Sequence, residues 1–130
     1  MQIEVVAAAI VVDRRLLLVS KRQAPDVFYL PGGKPDAGED DLACLRRELD
    51  EELGVTVIDP VPWREVVAPA ALEPDRDLRM RVFLARLGGR PSPSAELARL
   101  HWWRRKDSTR LAPAIEQHVI PGLTAAGLIG

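Results

Sequence analysis

The chain has 130 residues, of which 47% are hydrophobic and 28% charged, a composition typical of one globular domain and not of a disordered chain or a coiled coil. Eighteen basic residues oppose 19 acidic ones, and the net charge of -1 excludes a broad basic surface for duplex nucleic acid. The chain has one cysteine, which excludes an internal disulfide, and no secretory leader pattern or apolar run of about twenty residues. We therefore expect one cytoplasmic domain over residues 1–130, without a membrane span.

The first thirty residues carry the pattern of strands. β-Branched and apolar residues fill positions 3–12 and 16–20 with a polar turn between them, which predicts a β-hairpin. A polar connector at residues 21–26 and a short apolar segment at residues 27–30 follow. We expect the Pro-Gly-Gly sequence at residues 31–33 to break regular structure and form a loop.

Residues 39–53 carry the clearest helical pattern in the chain. Four leucines recur at spacings of three or four residues and predict one apolar face. Three acidic residues lie in the first turn, where they favour the positive end of the helix dipole, and Gly54 follows as a C-terminal cap. The leucines are Leu42, Leu45, Leu49 and Leu53, and the acidic residues are Glu39, Asp40 and Asp41.

Strands and a closing helix are predicted in the second half of the chain. The strands cover residues 55–67, 78–87 and 100–103, and the helix covers residues 111–123. Prolines interrupt the first of these strands, an exposed acidic loop at residues 73–77 follows it, and Pro121 bends or ends the helix. This order of elements predicts an α/β/α sandwich with a mixed β-sheet.

Three glutamates on the helix at residues 39–53 indicate the chemistry of the protein. Residues three and four apart share a helix face, so Glu48, Glu51 and Glu52 present their carboxylates together. Three like charges repel one another, and a hard divalent cation such as Mg²⁺ or Mn²⁺ relieves that repulsion. Mg²⁺ joins protein carboxylates to substrate phosphates, so the pattern predicts hydrolysis of a diphosphate. The alternative is a solvated acidic face without a ligand.

Residues 33–55 resemble, at every specified position, the signature of the Nudix hydrolases, G-x5-E-x7-R-E-U-x-E-E-x-G-U, in which U is an aliphatic residue. The order of strands and helices outside the signature is similar to the family's sandwich fold. The resemblance implies Mg²⁺-dependent attack by water on a nucleoside diphosphate linked to another group X, with Mn²⁺ able to substitute. The matching residues are Gly33, Glu39, Arg47, Glu48, Leu49, Glu51, Glu52, Gly54 and Val55.

The resemblance also implies roles for individual residues. Glu48, Glu51 and Glu52 become metal ligands, joined by the backbone carbonyl of Gly32 or Gly33, and Gly33 also approaches the substrate. Either Glu48 or Glu51 acts as the general base. Two further residues of the signature orient the site. Arg47 would bond to one carboxylate and fix its orientation, and Glu39 would orient the loop or help to hold the metal, although a surface ion pair or helix-dipole stabilisation would explain them as well.

Candidates outside the signature rest on weaker patterns. The resemblance suggests Arg22 as a phosphate-binding residue and Glu96 as a metal-binding or basic glutamate, and a solvated arginine is the plain alternative for Arg22. Tyr29 is the aromatic residue that we assign to substrate binding. The other aromatic candidates for stacking on a nucleobase are Phe83, Trp102 and Trp103, of which the adjacent tryptophans face opposite sides of a strand. Cys44 is assigned to packing, and His101 and His118 have no assigned role.

The substrate follows less directly from the sequence. The leading hypothesis is hydrolysis of a nucleoside triphosphate, canonical or oxidised, to a monophosphate and pyrophosphate. ADP-ribose or another nucleotide conjugate is the alternative, because some relatives carry a proline fifteen residues beyond the signature and Pro69 lies fourteen beyond Val55. Leu72 stands where some dinucleoside polyphosphate hydrolases have tyrosine. A non-catalytic nucleotide sensor and a prenyl diphosphate isomerase are remoter readings. Group X and the oligomeric state stay open.

Overall fold

Seven strands form a single mixed sheet in the computed structural model, which describes residues 2–71, 73 and 75–130. β-Branched, aromatic and other apolar residues, which favour or tolerate extended backbone, make up most of the longest strands. The strands are β1 (Gln2–Val12), β2 (Arg15–Lys21), β3 (Ala24–Tyr29), β4 (Gly32–Gly33), β5 (Thr56–Pro69), β6 (Asp77–Gly88) and β7 (Leu97–Trp103). The helices are α1 (Asp41–Leu53), a π-helical turn (Ile115–Val119) and α2 (Ile120–Ala125).

The sheet is built around two neighbouring strands that run parallel, β1 and β6. The strand order is β3-β2-β1-β6-β5, with β4 antiparallel to the first half of β1 and β7 antiparallel to β2. Strand β5 lies at the edge, where prolines are tolerated because no neighbour requires their missing N–H. Its register shifts between Ile58 and Val61 and again between Pro62 and Arg64, which are the interruptions that the prolines predict.

Two hydrophobic cores lie on opposite faces of the sheet. Helix α1 packs on one face, where Leu45 and Leu49 are fully buried. The C-terminal helices cover the other face, where Ile115, Val119 and Leu123 are buried. Burial of each such side chain contributes about 1.5–3 kcal/mol. The predicted α/β/α sandwich with a mixed sheet is therefore confirmed.

Helix α1 begins two residues later than the sequence predicts. Asp40 precedes it with extended backbone, and its carboxylate accepts a hydrogen bond from the N–H of Ala43 at 2.8 Å, so Asp40 is the N-cap. The predicted C-terminal cap is confirmed, because Gly54 adopts a left-handed φ of 67° and its N–H donates to the carbonyl of Asp50. The acidic Glu39 lies outside the helix.

The apolar face of α1 differs from the prediction at one position. Leu45, Leu49 and Leu53 are buried, but Leu42 is 40% exposed. The spacing of residues along a helix fixes the direction in which a side chain points. Whether that side chain is buried depends on whether another element packs against it. Cys44 is fully buried instead, and its Sγ lies 3.6 Å from the carbonyl oxygen of Gly33.

Two short predictions before α1 are wrong. The connector expected at residues 21–26 is a tight turn at residues 22–23, and β3 already begins at residue 24. The two glycines of the Pro-Gly-Gly sequence form the short strand β4 and not an irregular loop, with Gly32 opposite Ala7 and Gly33 opposite Val6, while Pro31 lies in a bend before them. Both glycines lack a Cβ, and a Cβ at Gly32 would overlap the carbonyl oxygen of Val6. Glycine thus allows this approach to β1.

Several boundaries in the second half also shift. Strand β7 begins three residues earlier than predicted, and the closing helix continues past Pro121. The N–H of Ile120 bonds to the carbonyl of Ile115, five residues earlier, and this π-helical winding places Pro121 in the first turn of α2, where its missing donor costs little. In the predicted acidic loop Glu73 and Asp75 are exposed; Pro74, like Leu72, lies outside the described residues.

None of the helices in the described part of the chain combines the length and the apolarity that crossing a bilayer requires.

Candidate metal and phosphate site

The three signature glutamates differ in depth. They occupy the last two turns of α1, and the side chain of Glu51 is 54% exposed. The side chain of Glu48 is 15% exposed, and Glu52 is 3% exposed. The predicted face of carboxylates is thus present, but its members range from a solvent-facing group to a buried one.

Glu52 is a buried carboxylate with little compensating charge. Its Oε1 accepts one hydrogen bond, from the N–H of Gly32 at 3.2 Å. Burial, followed by repulsion from Glu48, raises its pKa from 4.5 to about 7, while the Gly32 bond and the charge of Lys21 act in the opposite direction. An ionised carboxylate in such a place is costly unless a cation joins it. The site therefore fits a bound cation.

Arg47 connects the glutamates to the segment before the helix. Its Nε and Nη2 donate to the two carboxylate oxygens of Glu39 at 2.8 and 2.9 Å. Its Nη1 donates to Glu48 at 2.8 Å and to Glu51 at 3.4 Å, and Nη2 also donates to the carbonyl of Lys34 at 3.1 Å. The planar guanidinium of arginine has five N–H donors in fixed positions, so it can bind several carboxylates at once. Arg47 therefore orients carboxylates, and Glu39 orients Arg47.

The carboxylate of Glu48 lies directly against β4. A Cβ at Gly33 would overlap this carboxylate, so only glycine leaves room for it. Burial raises the pKa of Glu48, although its hydrogen bond with Arg47 acts in the opposite direction. Burial also raises the pKa of the Cys44 thiol to about 11, as expected for a packing residue that is not a nucleophile.

Two predicted residues from other elements meet the glutamates. The charge of Glu96 contributes to raising the pKa values of Glu48, Glu52 and Tyr29, so its carboxylate lies within electrostatic reach of all three. The hydroxyl of Tyr29 is buried and has no hydrogen-bond partner among the residues that the structure describes. Burial and then the charge of Glu52 raise its pKa. A buried hydroxyl without a partner is unusual in a folded protein.

Lys21 also belongs to the site, and the sequence analysis missed it. It ends β2, its ammonium lies 5.8 Å from the centre of the Tyr29 ring, and its charge lowers the pKa of Glu52. The alternation of side chains along a strand could have predicted its position. Lys21 follows Val19 by two residues, so the two side chains share a face, and Val19 faces the core beneath α1. A cation on that face must lie near the helix.

Arg22 occupies a different position from its neighbour. Its exposed side chain forms no hydrogen bond or ion pair with the described part of the chain. Its backbone N–H donates to the carbonyl of Glu96 at 3.0 Å. The structure therefore brings Lys21 among the glutamates and leaves the guanidinium of Arg22 in solvent.

The remaining aromatic candidates pack in the interior. Phe83 and Trp103 are buried on opposite faces of the sheet, and Trp102 packs on the α1 side. The two tryptophans thus alternate as predicted. His101 hydrogen-bonds the carboxylate of Asp107 at 2.8 Å on the far side of the sheet from α1.

No cluster of three or more histidine, cysteine, aspartate or glutamate side chains within residues 2–71, 73 and 75–130 is already arranged to coordinate a metal. Arg47 and the N–H of Gly32 hold the oxygens of Glu48 and Glu52 instead. The chemistry of the donors nevertheless fits a hard divalent cation, because carboxylates and backbone carbonyls are its preferred ligands. The buried charge of Glu52 is the observation that most calls for one.

The NUDIX domain family model matches residues 2–122. The chain belongs to the Nudix hydrolase family. The site described above coincides with the Nudix signature, and its helix, cap and arginine are all in the described part of the chain.

Two kinds of relative agree with this membership. A Mycobacterium tuberculosis protein, named for a proposed 8-oxo-dGTP diphosphatase activity, is 43% identical over 91 residues, which are 67% of this chain and 63% of that protein. Thus the chain spans less than two thirds of the relative's length. The MutT Nudix hydrolase of Burkholderia pseudomallei has a TM-score of 0.69 at 29% identity, covering 79% of this chain and 83% of that one. The E. coli ORF135 protein has a TM-score of 0.72 at 27% identity, covering 96% and 92%.

The pair formed by Glu39 and Arg47 predicts a pH-dependent contribution to stability. The hydrogen bonds from Arg47 lower the pKa of Glu39 from 4.5 to about 2. A lowered pKa means that the ionised form stabilises the fold fully above about pH 4.5 and that this stabilisation disappears as the pH falls towards 2. We therefore expect Glu39→Gln to lower the melting temperature at pH 7 and the difference from wild type to shrink at pH 2.5.

Thermal unfolding followed by circular dichroism at both pH values measures this difference. Glu116→Gln is the control, because the exposed Glu116 forms no ion pair with the described residues. A difference between Glu39→Gln and wild type that is equal at the two pH values would contradict the prediction.

Proposed function

We propose that this Nudix protein hydrolyses a diphosphate bond in a nucleotide and requires Mg²⁺, for which Mn²⁺ can substitute. The observation that carries the proposal is the buried carboxylate of Glu52, whose pKa is raised by burial and by the charges of Glu48 and Glu96 and is lowered only in part by the Gly32 N–H and Lys21. Substrate phosphates and a divalent ion together would balance this charge. The full signature supports the same assignment.

Metal binding is assigned to residues from three segments. Glu48, Glu51 and Glu52 on α1 would hold Mg²⁺ together with Glu96 and the carbonyl of Gly32. Carboxylate and carbonyl oxygens are hard donors of the kind that Mg²⁺ prefers. When bound, Mg²⁺ neutralises phosphate charge and lowers the pKa of a bound water.

A glutamate is proposed to accept the proton of the attacking water. Water attacks one phosphorus, the bond from that phosphorus to the bridging oxygen breaks, and the proton passes to the carboxylate. Of the two candidates, Glu51 is the better base because it is half exposed and its contact with Arg47 is long, at 3.4 Å, and as the base it would take up the proton instead of holding the metal. Glu48 receives a 2.8 Å hydrogen bond from Arg47, which engages one oxygen. Arg47 then acts by holding Glu48 in place.

Substrate contacts are assigned to the polar groups that line the same site. The unpartnered hydroxyl of Tyr29 is a hydrogen-bond donor for a phosphate oxygen, and Lys21 beside it is a cation for the same group. The backbone of Gly33 approaches closely because it has no side chain. Arg22 is exposed at the rim and is free to meet an outer phosphate.

The proposed substrate is a nucleoside triphosphate, and an oxidised one is the first to test. The M. tuberculosis relative, named for an activity on 8-oxo-dGTP, supports this choice. The products would then be a nucleoside monophosphate and pyrophosphate. ADP-ribose and other conjugates are the alternative that the same site chemistry allows.

The decisive experiment measures phosphate release, with pyrophosphatase added, from a panel of substrates in Mg²⁺ or in EDTA. The panel contains canonical and oxidised nucleoside triphosphates, ADP-ribose, dinucleoside polyphosphates and a nucleotide sugar. We expect Mg²⁺-dependent turnover of a triphosphate, lost in a Glu51→Gln, Glu52→Gln double variant and kept in Glu116→Gln. Retained turnover in the double variant would contradict the mechanism, and nucleotide binding without turnover in Mg²⁺ would contradict the enzymatic function.

A further inference from the structure

The loop formed by residues 91–96 caps the C-terminal end of α1. A helix leaves its last carbonyls without intrahelical partners, and here the loop supplies them. The hydroxyl of Ser94 donates to the carbonyls of Glu51 at 2.7 Å and Glu52 at 3.2 Å, and its backbone N–H donates to Glu52 at 2.9 Å. The N–H of Ser92 donates to the carbonyl of Leu53 at 3.1 Å.

The same loop delivers Glu96 to the site. Ala95 adopts a φ of 56°, a left-handed conformation that L side chains rarely take, and it turns the chain sharply between Ser94 and Glu96. The N–H of Leu97 closes this turn on the carbonyl of Ser94 at 3.1 Å. On its other side Glu96 is attached to the end of β2, since its carbonyl accepts the N–H of Arg22 at 3.0 Å. Hydrogen bonds on both sides of Ala95 therefore hold the chain in this turn and fix where the backbone of Glu96 lies.

We propose that Ser94 is a positioning residue for the reaction, whose hydroxyl holds the loop on α1 and so fixes the distance between Glu96 and the glutamates of the helix. This inference rests on the proposed function. The hydroxyl bonds to the carbonyls of Glu51 and Glu52, whose side chains are assigned to proton transfer and to metal binding. One hydroxyl group therefore sets the relative position of carboxylates from two segments.

The backbone of the loop and the Ser94 hydroxyl make separable contributions. In a Ser94→Ala variant the backbone hydrogen bonds of Ser92 and Ser94 can remain, so the loop stays near the helix. What is lost is the shortest of the contacts, at 2.7 Å. Small displacements of groups that support a metal ligand lower metal affinity and turnover without unfolding the protein.

Three variants test the proposal. We expect Ser94→Ala to lower kcat by about 10- to 100-fold and to weaken Mn²⁺ binding, measured by calorimetry, by about tenfold, with KM little changed. Ser94→Thr retains the hydroxyl and is expected to restore both values. Ser92→Ala is the matched control, because Ser92 contacts α1 through its backbone N–H.

Measuring Ser94→Ala in a Glu96→Gln protein distinguishes positioning of Glu96 from simple stabilisation of the helix. If Ser94 acts through Glu96, Ser94→Ala should cost little further activity or Mn²⁺ affinity in a Glu96→Gln protein, because the carboxylate it positions is already absent. An equal loss in both backgrounds would overturn the proposal, as would unchanged kcat and Mn²⁺ affinity in Ser94→Ala. If no nucleotide is turned over by the wild type, the proposed function fails while Mn²⁺ affinity still tests Ser94. A wild type that neither turns over nor binds Mn²⁺ would overturn both.

Discussion

Replacing Glu52 with glutamine is expected to reduce turnover by about 10²- to 10³-fold, the range for removal of a group that supports charge stabilisation in the transition state. The same change should make the metal-free protein less sensitive to pH. The pKa of Glu52 in the fold is about 7, against an ordinary value of 4.5, so the folded state binds its proton more tightly than the unfolded state. Wild-type stability should therefore fall as the pH rises from about 4.5 to 7, by on the order of 3 kcal/mol.

Denaturant unfolding in EDTA at pH 5 and pH 8, together with the nucleotide assay, measures both effects. We expect the wild type to lose stability between these pH values, the Glu52→Gln variant to lose less, and Mg²⁺ to stabilise the wild type more at pH 8. Glu116→Gln should match the wild type in both measurements. Activity of Glu52→Gln within tenfold of wild type, or equal pH dependence of the two proteins in EDTA, would contradict this account of the site.

Replacing Gly32 with alanine is expected to disrupt both the fold and the site. Gly32 has a φ of 150°, and a Cβ there would overlap the carbonyl oxygen of Val6 and the Cα of Ala7. These are backbone atoms of β1 in the middle of the sheet, so they cannot move aside easily. Strain and overpacking together should cost on the order of 3 kcal/mol. The backbone N–H at position 32 remains, but its displacement from Glu52 should also reduce turnover by about 10²-fold or more.

Gly38→Ala is the matched control for this prediction. Gly38 also has a positive φ, of 77°, but no atom lies within 4 Å of the position that its Cβ would take. The Gly38→Ala variant should lose about 1–2 kcal/mol of unfolding free energy, from left-handed backbone strain alone, and should keep its activity. Unfolding free energies from denaturant titration distinguish the two variants, and equal losses would show that contact with β1 is not the cause.

The sequence predicted the helix of the site because its information is local. The leucine spacing, the acidic residues before the helix and Gly54 after it lie within sixteen residues of one another, and they predicted α1 to within two residues. The same spacing placed Glu48, Glu51 and Glu52 on one side of that helix. The local pattern could not predict the exposure of Leu42, which lies on the same helix face as the buried leucines. Burial depends on whether another element packs against that part of the helix.

Residues distant in sequence were predicted less well. The sequence pattern favours Arg22 over Lys21 because it ends the strand at residue 20, whereas β2 continues to Lys21 and carries that side chain on the α1 face of the sheet. Ser94 carries no motif, and only its contacts with the end of α1 reveal a role. The two glycines of β4 looked like a loop, since a strand of two residues gives no periodic pattern and exists through its pairing with β1.

By itself the sequence determined the family signature and the α/β/α arrangement, because helical and strand periodicity and caps act over a few residues. Tertiary structure alone decided that Glu52 is buried while Glu51 is exposed, that Arg47 joins Glu39 to Glu48, and that the charge of Glu96 acts on the pKa of Glu52. The reason is physical. Burial and electrostatic coupling depend on distances between segments, and those distances exist only once the sheet has brought β2, β4 and the loop at residues 91–96 against α1.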